Sequence, residues 1–197
     1  MDFLEVNCTI FPHTAEMLQQ SQSFSCGDKD LDDFFIHDAF KYEQQLLGRS
    51  YCFRLDSDYS VIVCIFTLSN SSIDTRNLPN NRKRKLTENI PHEKNLSSYP
   101  ATLIGRLAVN KEFGGKGIGT ELMNFIKSRM LDTSNLTACR YLTVDAYNND
   151  RTSNFYENNG FKTLFSSDKQ EKEYIGLTQK KELNTRLMYF SVCIAII

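Results

Sequence analysis

The sharpest change in the pattern of apolar and polar positions lies between residues 103 and 131. Leu103, Ile104, Leu107, Ala108 and Val109 form an apolar run that reads as a buried strand. A short polar turn, Asn110 to Phe113, follows, and then Gly114, Gly115, Gly117 and Gly119 crowd together. Ile118, Leu122, Ile126 and Met130 recur every fourth residue, which is one face of an amphipathic helix. The order is therefore strand, glycine loop, helix N-terminus. Upstream, Leu31, Phe34 and Phe35 share a face of a helix predicted over residues 26–40, with Asp28 as its N-cap. A second short helix is predicted over Phe40 to Leu47, stopped by Gly48. Tyr51 to Leu55 and Tyr59 to Leu68 predict a hairpin around Asp56-Ser57-Asp58. Downstream, Tyr141 to Ala146 alternates as a strand does, and Asn149 to Asn159 predicts a short helix that Gly160 is placed to end. The apolar run Met188 to Ile197 predicts a final core strand and is too short to span a bilayer.

Residues 69–100 break this pattern. Pro79, Pro91 and Pro100 fall here among many Asn and Ser, and the stretch predicts a long loop (70–100) inside the domain. It carries Arg82-Lys83-Arg84-Lys85, the one concentrated basic run. Such a run is either a solvated turn or a grip on an anionic acceptor.

Composition narrows the picture. A length of 197 residues suits one domain over 1–197, and 41% hydrophobic with 24% charged residues is ordinary for a globular chain. The formal net charge of −1 gives no global polybasic character. Six cysteines (Cys8, Cys26, Cys52, Cys64, Cys139, Cys193) are scattered without CxxC pairing, which favours reduced thiols in a cytoplasmic protein over a disulfide framework or a zinc site. His13, His37 and His92 lie in unrelated segments, so no metal constellation is expected. The N-terminus has neither a basic n-region nor a long apolar run, and no signal peptide or membrane association is expected.

Glycines admit φ > 0 and close approach of a ligand, and a helix start offers free N–H groups with partial positive charge. Strand, glycine loop and helix start together make a pyrophosphate cradle. No Gly-Lys-Ser/Thr closes the loop, which excludes a nucleotide P-loop, and the spacing fits a GxGxxG dinucleotide loop poorly.

The run G-G-K-G-I-G resembles the coenzyme A loop of the GNAT acetyltransferases, Gln/Arg-x-x-Gly-x-Gly/Ala, with Gly117 and Gly119 on its two glycine positions. Gly114 stands where that family usually has Gln or Arg. The pyrophosphate is then left without that side-chain contact, or Lys116 or Lys111 takes it over. The segment N-F-Y-E-N-N-G-F, Asn154 to Phe161, resembles the family's second signature, an aromatic-Tyr-Glu-x-x-Gly-Phe run. The resemblance covers roughly residues 20 to 190 and implies an α/β fold: a single GNAT-like domain with a mixed central β-sheet flanked by helices. It implies acetyl-CoA as cofactor, bound by the backbone of Leu107, Ala108 and Val109 along the pantetheine arm. The pyrophosphate falls to Gly114, Gly115, Lys116, Gly117, Ile118, Gly119 and Thr120. Asn149 contacts pantetheine or phosphate, or serves only as a helix N-cap.

Tyr156 is the candidate general acid, because a phenol stays protonated near neutral pH and can donate to a departing thiolate. The competing reading is an aromatic packed in the core with its hydroxyl satisfied. No general base stands out; Asp145 and Glu157 are the nearby carboxylates. The function implied is acetyl transfer to the primary amine of a small molecule, a peptide or an aminoacyl-tRNA. Phe24 to Phe35, Gly105 to Val109 and Val144 to Ala146 resemble the bacterial toxin branch that acetylates aminoacyl-tRNA, which implies a homodimer or an antitoxin-like partner. A non-catalytic coenzyme A-binding module is the second class, favoured by Gly114 and opposed by Tyr156.

Overall fold

The structure, a computed structural model, describes residues 2–88, 90 and 96–193. Pro91 and His92, counted above with the loop and the histidines, and residues 194–197 of the final apolar run lie outside the described residues. The strands hydrogen-bond in the order β1-β2-β3-β4-β5-β7-β6. They are β1 (Cys8–Pro12), β2 (Arg49–Leu55), β3 (Asp58–Asp74), β4 (Ser98–Val109), β5 (Tyr141–Tyr147), β6 (Lys162–Thr163) and β7 (Thr185–Ser191). The β4–β5 pair is parallel, and the β1–β2, β2–β3, β5–β7 and β6–β7 pairs are antiparallel. The sheet is thus mixed, as expected. The chain forms two compact units, Met1–Asn70 with Ile104–Asn135, and Ser71–Leu103 with Leu136–Ile197.

In the first unit, β3 is buried on both faces from Ile62 to Thr67, which is why its sequence runs apolar without alternation. Met17, Phe24, Phe34, Phe35, Ala39, Cys52, Ile62, Ile65 and Ala108 form one core cluster. Three elements of this unit went unforeseen, α1 (Phe3–Asn7), β1 and α2 (Ala15–Gln19); a five-residue strand is stabilised by its pairing from Cys8↔Leu55 to Pro12↔Tyr51 rather than by local pattern. The short α2 is capped by the Thr14 hydroxyl. The two helices predicted over 26–40 and Phe40 to Leu47 form one continuous run, α3 (Lys29–Asp33), a π-helical turn, Phe34–Asp38, and α4 (Ala39–Gln44), which ends at Gln44 rather than at Gly48. Asp28 is the N-cap, its Oδ1 accepting from the N–H groups of Asp30 (3.0 Å) and Leu31 (3.2 Å).

The second unit corrects the loop predicted over 70–100. There β3 continues to Asp74, α5 (Asn80–Thr87) follows Pro79, and β4 begins at Ser98. Polar Ser and Asn fit a strand when the ladder supplies their backbone partners, and Arg and Lys are good helix formers once proline has set the first turn. Leu86 of α5 is buried, and its carbonyl accepts the Tyr141 hydroxyl at 2.6 Å. Ile73, Leu78, Tyr99, Ala101, Tyr141, Leu164 and Phe165 complete this core. After β6, α8 (Asp168–Tyr174) turns in Glu171, whose carboxylate accepts from Arg186 Nε at 2.7 Å and the Leu187 N–H at 2.5 Å.

The glycine loop is held by the helix that follows it, α6 (Ile118–Leu131), through Ile118, Leu122, Met123 and Ile126, all buried. Met130, on the face predicted from the sequence, is half-buried. Leu122→Ala removes a side chain that is 0% exposed. It should cost about 2–5 kcal/mol. Urea unfolding should register this as a lower midpoint at unchanged slope.

Candidate functional site

The first unit carries the loop. At the end of β4, Ala108 is buried in the core while Leu107 and Val109 are half-buried. Asn110 fixes the exit from the strand. Its N–H donates to the Val63 carbonyl (2.9 Å), its Nδ2 to the Ile62 carbonyl (2.9 Å), and its Oδ1 accepts from the Glu112 N–H (3.1 Å). The sequence reading missed this residue; a polar amide directly after an apolar strand is the signal that was there. A 3₁₀ turn, Lys111–Phe113, follows. Its Lys111 N–H donates to the Ser25 carbonyl at 2.9 Å, and Ser25 Oγ donates to Asp32 at 2.8 Å, so the segment around α3 braces the loop.

Gly114 is extended (φ −61°), Gly115 has φ +71° and Gly117 has φ +82°. A side chain at Gly115 or Gly117 would meet nothing within 4 Å, so the backbone faces open space. Gly117 is the N-cap of α6 and has no side chain to spend on the first turn, while its carbonyl accepts from Thr120 and Glu121. Among the described residues, the N–H groups of Gly115, Lys116, Gly117, Ile118 and Gly119 donate to no backbone carbonyl. These are unspent donors at the positive end of a 14-residue helix, in a turn that carries two positive-φ glycines. Lys116, one of the two lysines proposed to stand in for Gly114, folds back on the turn. Its Nζ donates to the Glu112 carbonyl at 3.0 Å and lies 5.3 Å from the Phe113 ring centroid. Lys111 is exposed. Arg106 lies with its guanidinium 5.2 Å from the Phe34 ring centroid.

The second unit carries the tyrosine, on α7 (Asp150–Asn158). Asn149 is the N-cap: its Oδ1 accepts from the Thr152 N–H at 2.9 Å. With Asn148, Asp168, Lys172 and Glu182 it also lines a polar cleft of about 460 Å³. The helix ends as predicted, with Gly160 at φ +80°, where a Cβ would also press to 3.3 Å on the Phe190 ring. Tyr156 is half-buried, its ring 5.1 Å from that of Phe155 and 5.5 Å from that of Phe161. Its hydroxyl has no hydrogen-bond partner among the described residues, and burial pushes its pKa up to about 12. Asp145 and Glu157 are exposed. Among the described residues no group of three or more His, Cys, Asp or Glu could hold a metal ion, and no helix is long and apolar enough to cross a membrane.

Comparison with known proteins follows the same outline. Residues 88–163 match the acetyltransferase (GNAT) domain model. A tRNA-acetylating toxin of Mycobacterium tuberculosis is 28% identical over 134 residues, 68% of this chain and 73% of that protein. The fold is similar to AtaT complexed with acetyl-methionyl-tRNAfMet, with a TM-score of 0.63 at 22% identity over 96% of this chain and 98% of that one. It is also similar to a tyrosine-to-phenylalanine mutant of the AtaT toxin bound to the C-terminus of the antitoxin AtaR and acetyl-CoA, with a TM-score of 0.61 at 17% identity over 95% of each chain. The matched span takes in the strand, the glycine loop and the tyrosine helix alike, and over that span the chain is similar to the GNAT acetyltransferase domain.

Proposed function

We propose that this protein transfers an acetyl group from acetyl-CoA to the α-amino group of an aminoacyl-tRNA. The observation that carries the donor half is the row of N–H groups from Gly115 to Gly119 that donate to no backbone carbonyl, with Gly115 and Gly117 facing open space at the start of α6. A pyrophosphate satisfies such donors and the helix dipole together. Acetyl-CoA, when bound, supplies the activated acetyl group. Leu107, Ala108 and Val109 offer backbone groups to the pantetheine arm, Thr120 closes the phosphate end, and Asn149 keeps its Nδ2 for the coenzyme while its Oδ1 caps α7. Lys111, which is exposed, or Lys116, on release from the Glu112 carbonyl, replaces the side chain Gly114 lacks. Tyr156 holds a proton for the departing sulfur. The amine arrives neutral, and the proton it loses on acylation balances the one the sulfur gains.

The acceptor is supported by the toxin relatives and by α5. Arg84 and Lys85 are exposed on that helix and, with Asn80, Asn81 and Glu88, line a shallow cavity of about 520 Å³. A local patch of this kind attracts phosphate even where the whole chain carries a formal charge of −1. An antitoxin-like protein, of the kind AtaR is for AtaT, is the expected partner, and the cytoplasm, where charged tRNA is found, is the expected place of action.

The test is transfer of labelled acetyl groups in a charged-tRNA pool, set beside free amino acids, polyamines and peptides. Label on tRNA that mild deacylation removes supports the proposal. Labelling of a free amine with none on tRNA overturns the acceptor and leaves the transferase. Reversing Arg84 and Lys85 to Glu should weaken tRNA binding and reduce the steepness of its salt dependence by about 2 in log–log slope. Titration of binding at stepped salt measures that slope, and an unchanged slope removes α5 from the tRNA surface.

A further inference from the structure

His13, between β1 and α2, is 0% exposed and sits against the π-helical turn. Its ring stacks on Phe40, 5.2 Å between centroids, and meets the Phe35 ring edge-on at 6.0 Å. In an α-helix the Ala39 N–H would pair with the Phe35 carbonyl, four residues back. Here it donates to the Phe34 carbonyl, five residues back, and His13 Nε2 lies 2.9 Å from the Phe35 carbonyl oxygen. That oxygen can only accept, so Nε2 carries the proton and donates. The imidazole stands in for a helix N–H, and the wider π turn makes room for it.

This tautomer leaves Nδ1 as a lone pair, and no polar group among the described residues reaches it. A proton there would be a buried donor without an acceptor. From the π turn and β2 the polar neighbours are backbone carbonyls, of Phe35 and of Ser50, the latter accepting the His13 N–H at 2.9 Å. The charge that acts on the ring is Glu43 of α4. Burial outweighs it and holds His13 below the ordinary imidazole value of 6.5.

The π turn is tied to the glycine loop. α3 runs straight into it, with the Phe34 N–H donating to the carbonyls of Asp30 and Leu31. Asp32 of α3 accepts from the Cys26 N–H and the Ser25 hydroxyl, both at 2.8 Å. The Ser25 carbonyl accepts the Lys111 N–H at 2.9 Å, at the start of the 3₁₀ turn ahead of the loop. All of these residues lie in the first unit.

We propose that His13 is a positioning residue for coenzyme binding: neutral, it holds the π turn and, through α3, the entrance to the glycine loop, and its protonation releases both. This rests on the reading of that loop as the pyrophosphate site. Folded His13 resists the proton that the unfolded chain takes up near 6.5, so its contribution is complete above that pH and is lost as pH falls through the lower folded value. Affinity for acetyl-CoA should fall with it.

The experiment is calorimetric titration of the full chain with acetyl-CoA at steps from pH 8 to pH 5, for the wild type, His13→Gln and His13→Leu. Glutamine can offer an N–H to the Phe35 carbonyl and does not titrate. Imidazole proton signals, assigned by their loss in His13→Gln, give the folded pKa of His13. Phosphate groups of the coenzyme titrate at about pH 6, so the readout is the ratio of the wild-type Kd to that of His13→Gln. Below the folded pKa that ratio should rise by about tenfold per pH unit. At pH 8, His13→Gln should bind as the wild type does, and His13→Leu more weakly. The proposal is overturned if the wild type and His13→Gln lose affinity in parallel on acidification. It is equally overturned if His13→Gln melts like the wild type at pH 8 but binds no better than His13→Leu. Absence of binding by the wild type at pH 8 is a different result: it overturns the pyrophosphate reading itself, and this proposal falls with it.

Discussion

Gly117→Glu should abolish acetyl-CoA binding while leaving the protein folded. Gly117 sits at φ +82°, a conformation that costs a side-chain-bearing residue about 1–2 kcal/mol. A Cβ there meets nothing within 4 Å, so no steric penalty adds to that strain. The new carboxylate lies at the N-terminus of α6, where a negative charge gains about 0.3–1 kcal/mol and offsets part of it. That gain is also the reason binding fails: the glutamate takes the donors a pyrophosphate needs and repels it. In the wild type, acetyl-CoA at a hundredfold excess over Kd should add about 2.7 kcal/mol of stability, read as a higher melting temperature. In Gly117→Glu that shift should vanish and calorimetric titration should show no heat. Gly117→Asn is the control, since asparagine tolerates positive φ and adds no charge; it should keep most of the shift. A glutamate variant that binds like the wild type would mean that the pyrophosphate lies elsewhere.

The loop was legible in the sequence because its causes are local. Glycines at 115 and 117 are demanded by positive φ, and the four-residue spacing of Ile118, Leu122 and Ile126 is the helix face that anchors it. Asp28 and Gly160 were readable for the same reason, as caps whose chemistry needs only neighbours a few residues away. What stayed hidden depends on distant partners. β1 exists because β2 pairs with it. The Ser- and Asn-rich end of β3 is a strand against its own propensity, and the basic run turned out helical because Leu86 docks in a core completed by Tyr141. In the site, the sequence left open whether Tyr156 packs or donates, because that depends on the groups that surround its hydroxyl rather than on its neighbours in the chain. Ser25 was invisible until its partner Lys111 was known, and the polar amide of Asn110 could be seen in the sequence but not its partners at Ile62 and Val63.

Tyr156→Phe should lower kcat by roughly a hundred- to ten-thousandfold and leave the KM for acetyl-CoA nearly unchanged, the span expected for loss of a positioned proton donor. The substitution removes one oxygen and keeps the ring against Phe155 and Phe161, so the melting temperature should barely move. The role proposed for it rests on its acidity. A coenzyme thiol titrates at about 8.5 and an ordinary phenol at about 10. Burial pushes Tyr156 to about 12, so it stays protonated across any practical assay range. An acid that weak first gives a hydrogen bond to the negative charge growing on sulfur. It hands over its proton only as the acylated amine releases one, which keeps the phenol neutral over the full cycle. The pH profile should follow: no fall in rate near pH 10 from this residue in the wild type, and in the variant a low rate of the same shape. A loss of coenzyme binding equal to the loss of rate would mean that Tyr156 packs the site rather than serving it. An unchanged rate would remove it from the reaction, and the free amine or solvent would then have to protonate the sulfur.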